Sequence, residues 1–101
     1  MNTNARIENI TKLDDRAVIS AISDENPLVS VRAICEVTAR NVISKEAKKA
    51  LQDSRHNDRT FWNQYKVSTF AKAALDILGM GKYQGNSVEV KELIDSKLHI
   101  L

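Results

Sequence analysis

Cysteine, proline, glycine and aromatic residues are all scarce in this chain of 101 residues, and each shortage removes a class of explanation. The one cysteine, Cys35, excludes an internal disulfide and any zinc site built on several cysteines, so a reducing, cytoplasmic setting is expected. One proline and three glycines leave few obligatory breaks in secondary structure. No hydrophobic run approaches the roughly 18 residues that cross a bilayer. The N-terminal stretch MNTNARIENITK has no apolar signal-peptide core, so no membrane association is expected. With five aromatics, the apolar residues are mostly Ala, Ile, Leu and Val, which suit close packing between helices. The length implies one domain, residues 1–101.

What the chain does have is an uneven charge. Residues 1–36 carry four basic and six acidic groups, residues 37–72 eight and three, and residues 73–101 three and four. The middle third is therefore basic, at net +5, between mildly acidic flanks, which suits an acidic protein or a nucleic acid as partner. The competing explanation is a solvated lysine-rich helix face.

The apolar spacing is helical wherever it is regular, so the fold class is all-α with five to six helices. A first helix has Ile7, Ile10 and Leu13 as its apolar face. Asp14 or Asp15 caps a second, carrying Val18, Ala21 and Ile22 and ending near Asp24. Asn26 caps a third, with Pro27 at its first position, and Leu28, Val31, Cys35, Thr38, Ala39 and Val42 form its apolar stripe. Ser44 caps the fourth, whose inner side is Ala47, Ala50 and Leu51 and whose outer side is lysine. The fifth carries Val67, Phe70, Ala71, Ala74 and Leu78 and stops at Gly79. After the loop GMGKYQGNS a sixth starts at Asn86, with Glu89 in a capping box and Val90, Leu93, Ile94, Leu98 and Leu101 as its apolar side.

Enzymatic readings find little support. Cys35, His56 and Asp58 are the residue types of a nucleophile, base and orienter, but Cys35 falls on an apolar helical stripe, where a thiol behaves as a small hydrophobe. Asp14-Asp15 and Asp24-Glu25 sit at helix boundaries, where aspartate caps. The two histidines lie 43 positions apart and form no metal motif. GMGKYQG fails the phosphate-loop pattern, since Asp76 stands at its first glycine and Tyr83 follows the lysine. No catalytic residue, metal or cofactor is assigned.

The segment SRHNDRTFWNQYK, Ser54 to Lys66, holds three of the five aromatics and is the candidate partner-binding surface: Arg55, His56, Arg59, Trp62, Tyr65 and Lys66. Arg, Trp and Tyr mixtures are enriched at the energetic centres of interfaces. The alternative is that Asp58 caps the fifth helix, RTFWNQY extends it backward, and the aromatics close the end of a small core.

Weak internal repetition places that segment. AVISAISD (Ala17 to Asp24) lies over EAKKALQD (Glu46 to Asp53) at a shift of 29, and VRAICEVTA (Val31 to Ala39) over VSTFAKAAL (Val67 to Leu75) at a shift of 36, so the segment holds a seven-residue insertion. The pattern resembles the HEAT-repeat (armadillo-type) family, in which a helix ends in an aspartate-containing turn and the next opens with Val-Arg, then Ala, then Ala-Leu. Asp24, Val31, Arg32 and Cys35 fit the first copy; Asp53, Val67, Ala71, Ala74 and Leu75 fit the second. The resemblance implies a short α-solenoid of about two and a half helix pairs, residues 86–101 opening a third. The expected function is a non-enzymatic protein-protein interaction module, with a nucleic-acid-binding helical repeat as the alternative on the same basic face. The apolar end LHIL is expected to pack on the preceding helix or against a second copy in a homodimer.

Overall fold

A computed structural model describes residues 3–61, 65–82 and 92 of the chain. Among them are α1 (Thr3–Asn9), a 3₁₀ turn (Ile10–Lys12), α2 (Asp15–Ala21), α3 (Pro27–Ala39), α4 (Lys45–Ser54), β1 (Thr60–Phe61), β2 (Tyr65–Lys66) and α5 (Val67–Ile77). The expected sixth helix from Asn86 and most of the GMGKYQGNS loop lie outside the described residues. The chain is predominantly helical, and the small β1–β2 ladder is a departure from a purely all-α class.

Local chemistry sets the helix starts. The Asp14 carboxylate accepts from the Ala17 amide at 2.8 Å, the Asn26 side chain from the Leu28 amide at 3.0 Å, and the Ser44 hydroxyl from the Ala47 amide at 3.1 Å. Each satisfies an amide that has no partner inside its helix. Pro27 at the first position of α3 gives up no hydrogen bond. Two helices end alike. Asn41 and Gly79 adopt positive φ, 56° and 74°. The next amides, Val42 and Met80, reach back to Val37 and Leu75 carbonyls at 3.1 and 2.7 Å. This is the Schellman arrangement, which favours glycine in the left-handed position. Asn41→Gly is accordingly expected to raise stability by about 0.5 kcal/mol and Gly79→Ala to lower it by about 1 kcal/mol in urea unfolding. A Cβ at Gly79 meets no atom within 4 Å, so that loss is conformational, not steric.

The core is centred on α3. It packs against α2 and α5, and also against α1, the 3₁₀ turn and β1. Val31, Cys35 and Thr38 of the expected stripe are buried, but Leu28 and Val42 are half-buried and Ala39 is exposed. Val29, Ala33, Ile34 and Val37 are buried as well. A helix with neighbours on several sides buries more than one stripe, which is why a single 3.6-residue periodicity under-read it. Its buried hydroxyls find partners: Ser30 Oγ donates to the Ile22 carbonyl at 2.6 Å, and Thr38 Oγ1 to the Ile34 carbonyl at 2.8 Å.

α5 lies between α3 and α4, burying Val67, Phe70, Ala71, Ala74 and Leu78 as expected. From the first helix Ile7 and Ile10 are buried, but Leu13, where the 3₁₀ turn ends, is 37% exposed. The α2–α3 turn is held by Asp24, which accepts from the Asn26 amide at 2.8 Å and pairs with Arg6 of α1. Among the described residues no helix is long and apolar enough to cross a membrane.

Candidate functional site

Between α4 and α5 the chain does not extend α5 backward, the alternative raised from the sequence; β1 and β2 pair antiparallel as a hairpin. The Asn57 amide closes a turn onto the Ser54 carbonyl at 3.0 Å, and the Asn57 side chain accepts from the Arg59 amide at 3.0 Å. That Asx turn ends the helical path and launches β1. Thr60 then stands opposite Lys66, and Phe61 opposite Tyr65. The start of α5 takes its caps from this loop: the Val67 amide donates to the Arg59 carbonyl at 3.0 Å and the Ser68 amide to the Asn57 carbonyl at 2.8 Å. Asp58 is therefore not the helix cap; it accepts from the Ser68 hydroxyl at 3.3 Å.

The aromatic residues fasten the hairpin's inner face. The Phe61 ring lies 5.7 Å from Tyr65 and 5.3 Å from Phe70, and Tyr65 meets Phe70 edge-on at 6.0 Å. Such pairs add to the burial of the rings themselves. Phe61 is buried and Tyr65 half-buried, so Tyr65, nominated for partner binding, is engaged in packing.

The other nominated residues divide. Arg55, His56, Arg59 and Lys66 are exposed, while Trp62 lies outside the described residues. Arg55 folds back to the Gln52 carbonyl at 3.3 Å. Arg59 reaches the Glu25 carbonyl in the α2–α3 turn, tying the hairpin across the first helix pair. The structure thus leaves Arg55, His56 and Lys66 exposed while Phe61 and Tyr65 pack on Phe70, with Arg59 as a brace. Along α4, Lys45, Lys48 and Lys49 are exposed opposite the buried Ala47 and Leu51. The Lys49–Asp53 contact at 3.5 Å is a surface pair that contributes little.

The cysteine-based reading finds no assembled site. Cys35 is buried inside α3, while His56 and Asp58 are exposed. Burial pushes the Cys35 thiol up to about 12, Arg32 opposing the shift and Glu36 adding to it. A thiol that keeps its proton longer in the folded state contributes stability below its unfolded value of 9.0 and loses it as pH rises toward about 12. Stability above pH 9 should therefore fall more steeply for the parent than for Cys35→Ala, and alkylation at pH 8 should await unfolding by urea. Rapid native-state alkylation would contradict this.

Among the described residues no cluster of His, Cys, Asp and Glu is suited to a metal. The described residues form open clefts. One, of about 240 Å³, is lined by Asp15, Ile19, Val42 and Glu46 among others; the second, of about 260 Å³, by Arg6, Ile10, Leu13 and Asp24 among others. In the first Asp15 is engaged by Arg40, and in the second Arg6 is engaged by Asp24.

Arg40 is the residue the sequence did not flag. Just past α3, its guanidinium bonds Glu36 at 2.8 Å, Asp15 at 2.9 Å, and the carbonyls of Leu13 and Thr11 at 2.8 and 3.2 Å. The Glu36 hydrogen bond, then that of Asp15, raises its pKa above the ordinary arginine value. Spacing reveals the Glu36 partner, four residues back on the same helix face, but not Asp15. No family model, curated protein or solved structure matches the chain.

Proposed function

We propose that the chain is a non-enzymatic protein-interaction module, a short HEAT-like helical stack that presents the hairpin between α4 and α5 to an acidic surface of another protein in the cytoplasm. The observation that carries this reading is the division of the hairpin: Phe61 and Tyr65 are packed with Phe70, while Arg55, His56 and Lys66 remain exposed. A rigid aromatic base under exposed cations limits the entropy lost when a partner binds, and the charge speeds encounter. Trp62, three residues before Tyr65, is the proposed apolar anchor.

The stack reading draws support from burial. Under the shift of 36, Val31 and Val67, Ile34 and Phe70, Cys35 and Ala71, Val37 and Ala73, and Thr38 and Ala74 are buried pairwise. Under the shift of 29, Val18 matches Ala47 and Ile22 matches Leu51 in the same way. α2 packs with α3, α4 with α5, and α3 with α5, as expected of two stacked pairs.

The test compares partner capture from native extract by the parent and by Arg55→Ala/Lys66→Ala. Capture is expected to fall about tenfold, while stability moves by less than about 0.5 kcal/mol, the usual range for exposed sites. Unchanged capture would remove the reading. Trp62→Ala should weaken capture without unfolding the domain; loss of the fold would make Trp62 a packing residue.

The lysine ridge of α4, which runs into Arg55 and His56, favours a second reading, nucleic-acid binding. It requires affinity for a single-stranded oligonucleotide that falls steeply with salt. No binding at low salt would eliminate it.

A further inference from the structure

The hairpin's ladder has a definite parity. The Val67 amide bonds the Arg59 carbonyl across the pair that precedes Thr60–Lys66. In an antiparallel ladder, bonded and non-bonded pairs alternate, so Phe61–Tyr65 is a bonded pair and Thr60–Lys66 is not. The main-chain N–H and C=O of Thr60 therefore point away from β2, toward the outer edge of β1. Thr60 is exposed, and no described residue bonds these two groups. An outward donor and acceptor on one exposed strand residue are the elements to which an extended chain pairs.

The surroundings select the kind of chain. Arg55 and His56 are exposed in the turn that leads into β1, Arg59 adjoins Thr60, and the Lys66 side chain shares Thr60's outward face because the two residues stand directly opposite. Asp58 is the one carboxylate between Arg55 and Lys66, and it is engaged by the Ser68 hydroxyl. An acidic segment is thus complementary.

We propose that an extended acidic segment of a partner protein adds to the outer edge of β1 as a third strand, pairing with the main-chain N–H and C=O of Thr60 beside Arg55, His56 and Lys66. This rests on the hairpin being the partner-binding surface and adds how the partner is held: main-chain bonds to Thr60 hold it extended along β1, and the basic side chains select its charge.

The test uses two fluorescent ten-residue peptides of equal charge, followed by anisotropy. One alternates glutamate with valine; the other carries the same glutamates but proline in place of the valines, which cannot join a ladder. The parent protein is expected to bind the first about tenfold more tightly, the worth of one to two hydrogen bonds. Thr60→Pro removes a main-chain donor that the hairpin does not use, and should abolish that preference. Arg55→Ala/Lys66→Ala should weaken both peptides alike.

Equal binding of the two peptides by the parent overturns strand addition and leaves a charge-only surface. Binding of neither peptide, or of an oligonucleotide alone, also overturns it. A preference that survives Thr60→Pro moves the contact off this edge and overturns it too. If Thr60→Pro fails to fold, the two-peptide comparison on the parent decides. Failure of the underlying reading is separate: there, Arg55→Ala/Lys66→Ala leaves capture from native extract unchanged.

Discussion

Phe70→Ala is expected to cost about 3–5 kcal/mol of unfolding free energy, the range for truncating a fully buried phenylalanine. A domain of this kind commands roughly 5–15 kcal/mol in all. The variant should therefore stand close to unfolding at 25 °C, with a large fall in the urea midpoint. The cost is high because Phe70 serves two structures at once. It sits on the buried face of α5 between α3 and α4, and it is the surface on which Phe61 and Tyr65 rest, at 5.3 and 6.0 Å. The loss includes transfer of the ring to water, the cavity left behind, and the footing of the hairpin. Phe70→Leu, which keeps apolar volume but not ring contacts, should lose much less while still loosening the hairpin. Amide exchange at Phe61, Tyr65 and Val67 would then accelerate more than exchange in the middle of α3. A Phe70→Ala loss below about 1.5 kcal/mol would mean that this face is not packed as described.

Arg40→Ala should lower stability by about 2 kcal/mol, less than the sum of its bonds suggests. Arg40 is 23% exposed and Asp15 63% exposed, so water replaces the Asp15 contact readily. Glu36 is only 15% exposed and would be left with Arg32 at 3.5 Å, a long contact. Most of the loss should therefore reside in the Glu36 pair. A double-mutant cycle between Arg40→Ala and Glu36→Gln is expected to give about 1 kcal/mol of coupling, and one with Asp15→Asn less than about 0.5 kcal/mol. Arg40→Lys keeps the charge but cannot span carboxylates and carbonyls at once, so it should recover only part of the loss. Equal coupling to Asp15 and Glu36 would contradict this apportionment. Because Arg40 ties the end of α3 to the segment preceding α2, its removal should release the first helix pair before the second.

Caps and stops were legible in the sequence because they are local. Asp14, Asn26 and Ser44 each bond an amide two or three positions on, and Gly79 needs only its own backbone freedom. The burial of Val29, Ala33, Ile34 and Val37 was not, because it depends on α1, α2, α5 and β1 converging on one helix from different directions. Nor was the hairpin. Strands of two residues have no periodicity to detect, and the α5 amides of Val67 and Ser68 that fix the loop bond the carbonyls of Arg59 and Asn57 on the far side of a turn. The candidate site was legible in composition but not in roles. Tyr65 became a packing residue and Arg59 a brace to Glu25, because aromatic and arginine side chains serve cores and interfaces equally well.

By itself the sequence determined a mainly helical chain, the start of each helix from α2 to α4, the stop of α5, and a basic centre between acidic flanks. These follow from bonds within a turn of chain and from the order of charges. Tertiary structure alone decided that α3 is surrounded, that Arg40 bridges to Asp15, and that β1 pairs with β2, with Phe61 and Tyr65 packed on Phe70 and Arg55, His56 and Lys66 exposed. Those outcomes are set by which surfaces meet after the helices have formed, and residues far apart in sequence carry no local mark of that meeting.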